Sequence, residues 1–523
     1  MNMMRLMVII LGLFLLCCFD AALAQSPGDW PMFGQNTENT ASNVLENSIS
    51  AKNVDQLDTK WTFTTGGDVT ARAAVVNDVA YFPDWAGNLY AVRASTGKLI
   101  WSHQLSDYGL AAGTVSRTSP AVVSGVLYIG TQYVPPPTPT APQPPTGWLL
   151  AINAKTGALV WKIQPDTSNP FPVITASPVV AGGAVYVGMT SNEEFAAGLD
   201  PTYHCCSASG SVVAVSAATG AILWQTFAVP TGYSGGAVWG SNPVVDEARR
   251  TVFVGTGNNY SHPTATDPDH NHADSILALD MDTGAIRWAT RLMTWNQPGV
   301  TNGSDDWNTA CFIPPFINCP FPSTGPDYDF GSAPNEITYQ SPTGPKTIIG
   351  AGQKSGIYYA LDPDTGAVLW HTQVGPGSAL GGMEWGSATD GKRIYVAIAN
   401  LYGIPYGPLS LGSAGSWAAL DPATGEILWQ KADPNGAMDL GPMAVANGVV
   451  YAPSMGTNTS APTMFALDAA NGNPLWSFAP GVSVNAGATV VNSTVYWGSG
   501  YSHLAPLGTG GNNKFYAFKN TGG

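Results

Sequence analysis

Charge is scarce in this chain. Of 523 residues only 20 are Lys or Arg and 35 are Asp or Glu, so the formal net charge is −15. A nucleic-acid surface needs a basic footprint, and so does an anionic membrane surface; neither partner is expected. Cysteine is also sparse, with 6 residues, and no Cys-x-x-Cys-His occurs, which excludes a c-type haem attached to this chain. Beyond the first two dozen residues no apolar run is long enough for a membrane span. What the chain does have is 60 Gly, 41 Pro and 17 Trp, a composition that suits many short strands joined by turns.

The N-terminus reads as a signal peptide. Arg5 supplies the positive region, Leu6 to Cys18 the apolar region, and Ala22-Leu23-Ala24 the small-x-small cleavage site before Gln25. Residues 1–24 are therefore expected to be removed, leaving 25–523 as a periplasmic or secreted protein; a retained anchor is the alternative. Four cysteines then remain: Cys205, Cys206, Cys311 and Cys319. An even count in an oxidising compartment favours two disulfides. The Pro-rich loop from Cys311 to Cys319 is short and easily closed.

One pattern recurs along the chain. The copies are LYAVRASTGKLIW (89–101), LLAINAKTGALVW (149–161), VVAVSAATGAILW (212–224), ILALDMDTGAIRW (276–288), YYALDPDTGAVLW (358–370), WAALDPATGEILW (417–429) and MFALDAANGNPLW (464–476). Each is an apolar strand, a turn ending in Gly, and a second strand ending in Trp, which is hairpin chemistry. Between copies lie further short strands such as PAVVSGVLYIG and MAVANGVVYAP.

An eighth copy is split between the two ends. FYAFKNTGG (515–523) starts it, and LDTKWTF (57–63) supplies the strand that ends in Trp61. The expected fold is therefore all-β: an eight-bladed β-propeller of four-stranded antiparallel blades, closed by pairing the N-terminal strand with the C-terminal one. Closure removes an exposed sheet edge. The repeat Trp residues read as packing groups between blades. Extra length falls in blades three to five, where long loops build a binding face. The lead from residue 25 to about 55 is expected to pack across the ring.

An eight-fold A-x-D-x-x-T-G-x-x-x-W hairpin resembles the pyrroloquinoline quinone (PQQ) dehydrogenase family, and the match runs from about Asp29 to the C-terminus. Bacterial outer-membrane assembly propellers share the repeat without a cofactor, so function rests on the loops. In HCCSASGSVV the adjacent Cys205 and Cys206 resemble the vicinal disulfide that family members place against the cofactor. In VWGSNPVVDEARRTVFVGTGNNY the resemblance implies Trp239 as the aromatic floor for PQQ and Asn258 as a calcium ligand. VYVGMTSNEE ends in Glu193 and Glu194, one of which is the implied carboxylate ligand.

GPDYDFGSAPNEI resembles the loop carrying the catalytic base. Asp329 falls at that position, with Asp327 as runner-up and also Asp329 as a further metal ligand; Asp305 and Asp306 form a rival loop. In GAGQKSGIYYALD, Lys354 is the implied cation for the quinone oxygens. Arg117 and Thr175 occupy positions suited to the carboxylates of PQQ, and Trp385 in GGMEWGSATDG is a further candidate.

DWPMFGQN, TTGGDV, YFPDWAGNLYAV and GPDYDFG resemble the polyvinyl alcohol dehydrogenases. This chain lacks the haem c domain that many of them carry, and Ser209 stands where relatives often have Arg. The resemblance implies oxidation of alcohols to carbonyls with PQQ and Ca²⁺, with electrons passing to a separate soluble cytochrome c. A non-catalytic propeller serving as a binding or assembly scaffold is the alternative reading.

Overall fold

The computed structural model describes residues 26, 28–133, 144–240, 242–261, 270–293, 305–321, 324–407, 412, 414–504 and 506–521. The expected leader, residues 1–24, lies outside them. Eight four-stranded antiparallel sheets follow one another around a ring. Blade one comprises Ala74–Val76, Val79–Pro83, Asn88–Arg93 and Leu99–Gln104. In blade eight the outer strand, Leu57–Thr64, comes from the N-terminal side and pairs antiparallel with Lys514–Asn520. The ring thus closes as the split repeat predicts.

Each repeat Trp ties its blade to the next. The indole N–H of Trp61 donates to the Ala94 carbonyl, Trp101 to Ala154, Trp161 to Ala217 and Trp224 to Met281. Trp288, Trp370 and Trp429 do the same to Pro363, Pro422 and Ala469, and Trp476 reaches Leu57, which closes the circle. The turn glycine of one blade lies on the indole of the blade before: a Cβ on Gly220 would stand 2.9 Å from Trp161 Cδ2. That glycine also has φ +75°. Both conditions exclude a side chain there. The interval between Gly and Trp in the repeat is therefore set by contact between neighbouring blades as well as by the hairpin.

The N-terminal lead encircles one end of the axis. Its carbonyls at Pro31, Thr37, Glu38, Thr40 and Ala41 accept from Val122, Val245, Glu336, Thr389 and Val445, each in or flanking the innermost strand of a different blade. Arg72 is buried at its centre. The guanidinium donates to the carbonyls of Phe33 (2.7 Å) and Met443 (2.6 Å) and lies 4.8 Å from the Phe33 ring. Burial lowers its pKa to about 9. The cavity above Arg72 is only about 20 Å³, and Arg117, Thr175 and Trp385 share in its lining. This end is filled, so the open face of the ring is the other one, where the long loops of blades three to five gather. Those loops include helix α1 (Glu193–Leu199) and the turn Thr309–Cys311. No helix among the described residues is long and apolar enough to cross a membrane.

Candidate active site

A cavity of about 350 Å³ opens on that face. Its lining includes Arg117, Thr175, Glu194, Trp239, Asp327, Asp329, Lys354 and Trp385. Eight positions from five blades thus converge on one space, because loops at the same end of successive blades all point toward the axis.

The loop 327–329 is held by its neighbours' backbones and carboxylates. Asp305, the rival in sequence, is buried beneath it and accepts from the backbone N–H of Asp327 at 2.9 Å and of Tyr328 at 2.5 Å. Asp327 takes φ +64°, which aims it back into the cavity beside Asp329. Lys354 Nζ donates to Asp327 Oδ2 at 3.1 Å and to Asp329 Oδ2 at 3.0 Å. Asp329 also accepts from Trp239 Nε1 (2.8 Å) and from the backbone N–H of Asn258 (2.7 Å). Gly257 permits that approach, since a Cβ there would lie 2.8 Å from Asp329 Oδ1.

The electrostatics follow from burial. Burial pushes the Asp327 carboxyl well above the usual range, against the pull of Lys354. Burial opposes the Lys354 charge as well, but Asp327 and Asp329 outweigh it and raise the ammonium well above its ordinary value. Lys354 is thus held as a cation, 5.1 Å from the centre of the Trp239 ring.

Trp239 meets Trp385 edge to face at 5.2 Å and 84°. Arg117 lies 3.9 Å above the Trp385 ring and donates to the Tyr501 hydroxyl at 3.3 Å. Thr175 donates to the Trp239 carbonyl at 2.8 Å and so fixes the backbone of that residue. Ser209, where relatives often have Arg, is outside the lining and is held by Asn169 through its backbone N–H at 2.9 Å and carbonyl at 2.6 Å.

The two glutamates left open by the sequence separate. Glu193 is fully buried and accepts from Tyr203, Ser207 and the Ala208 backbone, so it organises the loop after the cysteine pair. Glu194 lines the cavity, and burial, with the Asp329 charge adding to it, raises its pKa to about 7. Asn258 donates its Nδ2 to the carbonyls of Asn259 and Trp307, which turns Oδ1 away from both. Both disulfides, Cys205–Cys206 and Cys311–Cys319, are present. The first does not line the cavity. Its Cys205 sulfur is 3.6 Å from Asn308 Nδ2, behind the wall formed by Trp307 and Thr309.

Comparison with known proteins is decisive for the family. The chain is 32% identical over 500 residues to the polyvinylalcohol dehydrogenase of Sphingopyxis sp. (strain 113P3), covering 87% of this chain and 70% of that protein. This chain belongs to the polyvinyl alcohol dehydrogenase family. Among solved structures, a quinohemoprotein alcohol dehydrogenase from Pseudomonas putida HK5 superposes with a TM-score of 0.72 at 18% identity, covering 95% of this chain and 81% of that one. A europium-containing methanol dehydrogenase gives 0.69 at 18% identity, covering 94% and 98%. The family described as outer membrane protein assembly factor BamB matches residues 35–134 and 353–511, which contain four of the repeat hairpins.

This family member also carries cavity residues that the sequence did not single out. Glu384, next to Trp385, lines the cavity, and burial, opposed by Lys354 and Arg117, raises its pKa to about 7. Tyr260 and Tyr501 complete the wall. Glu384 sits inside the quoted GGMEWG segment, so a buried acid beside a site Trp was the available signal. Tyr501 lies in the last inter-strand loop, with no motif around it.

The donor set fits an anionic aromatic cofactor with a hard cation. Four carboxyl groups (Glu194, Asp327, Asp329 and Glu384) share the space with two fixed cations, Arg117 and Lys354. Oxygen-rich sites of this kind take hard metal ions. Among the described residues no three His, Cys, Asp or Glu side chains form a ready metal cage. Of the metal ligands that the sequence resemblance implies, Glu194 and Asp329 line the cavity, whereas Glu193 and Asn258 do not.

Proposed function

We propose that this protein is an exported PQQ- and calcium-dependent dehydrogenase that oxidises secondary alcohols, polyvinyl alcohol among them, to carbonyls. The observation that carries this reading is the buried Lys354 between Asp327 and Asp329, beneath Trp239, in an axial cavity of a family member. A binding scaffold has no use for a desolvated ammonium gripped by two acids, and such perturbed groups collect at catalytic sites.

The residues divide the work as follows. Trp239 and Trp385 offer aromatic faces to a planar tricyclic quinone, and Arg117 offers a planar cation to its carboxylates. Glu194 and Asp329 would hold Ca²⁺, with the Asn258 amide oxygen as the third ligand. When bound, PQQ supplies the acceptor for the hydride, and the metal polarises its reactive carbonyl. Asp327 takes the hydroxyl proton of the alcohol. The sequence placed Asp329 first for this role, but Asp329 has donors on both of its oxygens, whereas the bonds described for Asp327 leave it with Lys354 alone. Lys354 stabilises negative charge that develops on the quinone oxygens. A separate soluble cytochrome c takes the electrons onward.

The test is to add PQQ and Ca²⁺ to the purified protein and follow reduction of an artificial electron acceptor driven by a secondary alcohol, with an EDTA-treated control. Reduction that needs both additions is expected. If PQQ does not bind and no alcohol is oxidised, the scaffold reading takes its place.

A further inference from the structure

A second cavity, of about 440 Å³, lies beside the first. The two share their walls residue by residue. Asp327 and Asp329 face the first cavity, and Tyr328 between them faces the second. Lys354 lines the first and Ser355 the second; Gly375 to Gly377 line the second, and Ala379 and Leu380 the first. Their linings are thus one residue apart along two segments, a spacing of about 3.8 Å between successive Cα atoms, and two residues apart along the third. On the rim, Tyr402 and Ile404 are 59% and 46% exposed. Tyr402 lies close enough to Asp327 for that carboxylate to raise its hydroxyl, after burial. Ile404 lines the second cavity.

The chemistry of the second cavity is unlike that of the first. Among the described residues no charged side chain lines it. Ile357, Val374, Ile404 and Ile427 supply hydrocarbon wall, and the polar groups are neutral. Gln430 is 7% exposed, its Nε2 donates to the Val374 carbonyl and Ser416 Oγ at 2.9 and 3.0 Å, and its Oε1 is buried without a partner, so the residue gives the cavity a neutral amide wall. An ionic ligand would find no counter-charge here, and a pure hydrocarbon would desolvate the neutral hydroxyl and amide side chains of Tyr328, Ser355, Gln373 and Tyr406 without replacing their water. A chain of methylenes bearing hydroxyls meets both demands.

We infer that this second cavity is a subsite for the neighbouring units of a hydroxylated hydrocarbon chain whose reacting carbinol lies in the first cavity. This rests on the function proposed above. It makes Tyr328, Ile404 and Gln430 determinants of chain-length preference without a part in the chemistry.

The experiment measures kcat and KM of the PQQ- and Ca²⁺-loaded protein for a monohydric secondary alcohol and for vinyl alcohol oligomers of rising length. It compares wild type with Ile404→Trp, which fills the cavity from an exposed loop, and Ile404→Ala, which does not. Oligomer binding to the protein without cofactor is followed by calorimetry. KM is expected to fall roughly tenfold as oligomers become long enough to bury a few methylenes. Ile404→Trp should abolish that gain and the calorimetric binding while leaving the small alcohol unchanged, and Ile404→Ala should retain most of both. A KM independent of length, or equal losses for small and long substrates, overturns the subsite while the oxidation of the small alcohol still upholds the enzyme. Failure to oxidise even the small alcohol removes the function on which the subsite rests.

Discussion

Lys354 Nζ stands 3.1 Å from Asp327 Oδ2 and 3.0 Å from Asp329 Oδ2, so one buried ammonium neutralises two acids that reach it from a single loop. Its backbone reinforces the arrangement, because Lys354 N–H donates to the Asp329 carbonyl at 3.0 Å. Charge and main chain thus fix the same three residues.

Lys354→Met leaves both acids buried without their cation. Breaking a buried pair from one side costs about 3–5 kcal/mol. The melting temperature is expected to drop, and turnover at saturating PQQ to fall by at least 100-fold on the order of an oxyanion-donor loss. Turnover close to wild type would remove Lys354 from the chemistry.

Asp327→Asn and Asp329→Asn should fail in different ways. Removing a general base costs about 10²–10⁴ in kcat, so Asp327→Asn should lose turnover while binding PQQ and Ca²⁺ as before. Asp329→Asn should weaken Ca²⁺ binding, seen as a higher calcium concentration for half activation and easier inactivation by EDTA. The opposite pattern returns the base to Asp329.

Gly220→Ala tests the lock between blades. The new Cβ meets Trp161 at 2.9 Å and the φ of +75° is strained for alanine. Overpacking alone costs about 1–3 kcal/mol, so a clear fall in melting temperature is expected with KM unchanged. An unaltered melting temperature would show that the turn glycine is there for the hairpin alone.

Glu336 provides a pH signature away from the site. Burial, with Asp246 adding to it and Arg249 at 3.4 Å opposing, raises its pKa to about 7. The folded state therefore holds the proton more tightly than the unfolded chain. Stability from this group is fully present below its ordinary value near 4.5 and is lost as pH rises through about 7. Glu336→Gln cannot ionise, so its melting temperature relative to wild type should be higher at pH 8 than at pH 4.5. A difference that does not vary with pH would contradict the raised carboxyl.

The ring was legible in the sequence because its repeat is local. Each strand, turn glycine and Trp lies within thirteen residues, and the split copy of 57–63 with 515–523 already implied closure between the chain's ends. The site was legible only as a list of places. Trp239, Asp327, Asp329 and Lys354 stand in motif-bearing loops, and Glu384 stands beside Trp385 in one, whereas Tyr501 comes from a loop whose meaning arises by proximity. The sequence also left Glu193 and Glu194 equivalent. Only the turn into α1 buries the first against the backbone of Ser207 and Ala208 and leaves the second facing the cavity.

Composition, the export signal and the hairpin period are properties of neighbours along the chain, and the sequence by itself determined them as expectations of fold and class. Which acid accepts donors, which cation is buried, and that two cavities share one loop are properties of groups far apart in sequence. Asp329 and Trp239 are 90 residues apart, yet bonded at 2.8 Å. Such pairs are set by packing around the axis, where desolvation and distance decide charge, and only the tertiary structure decided them.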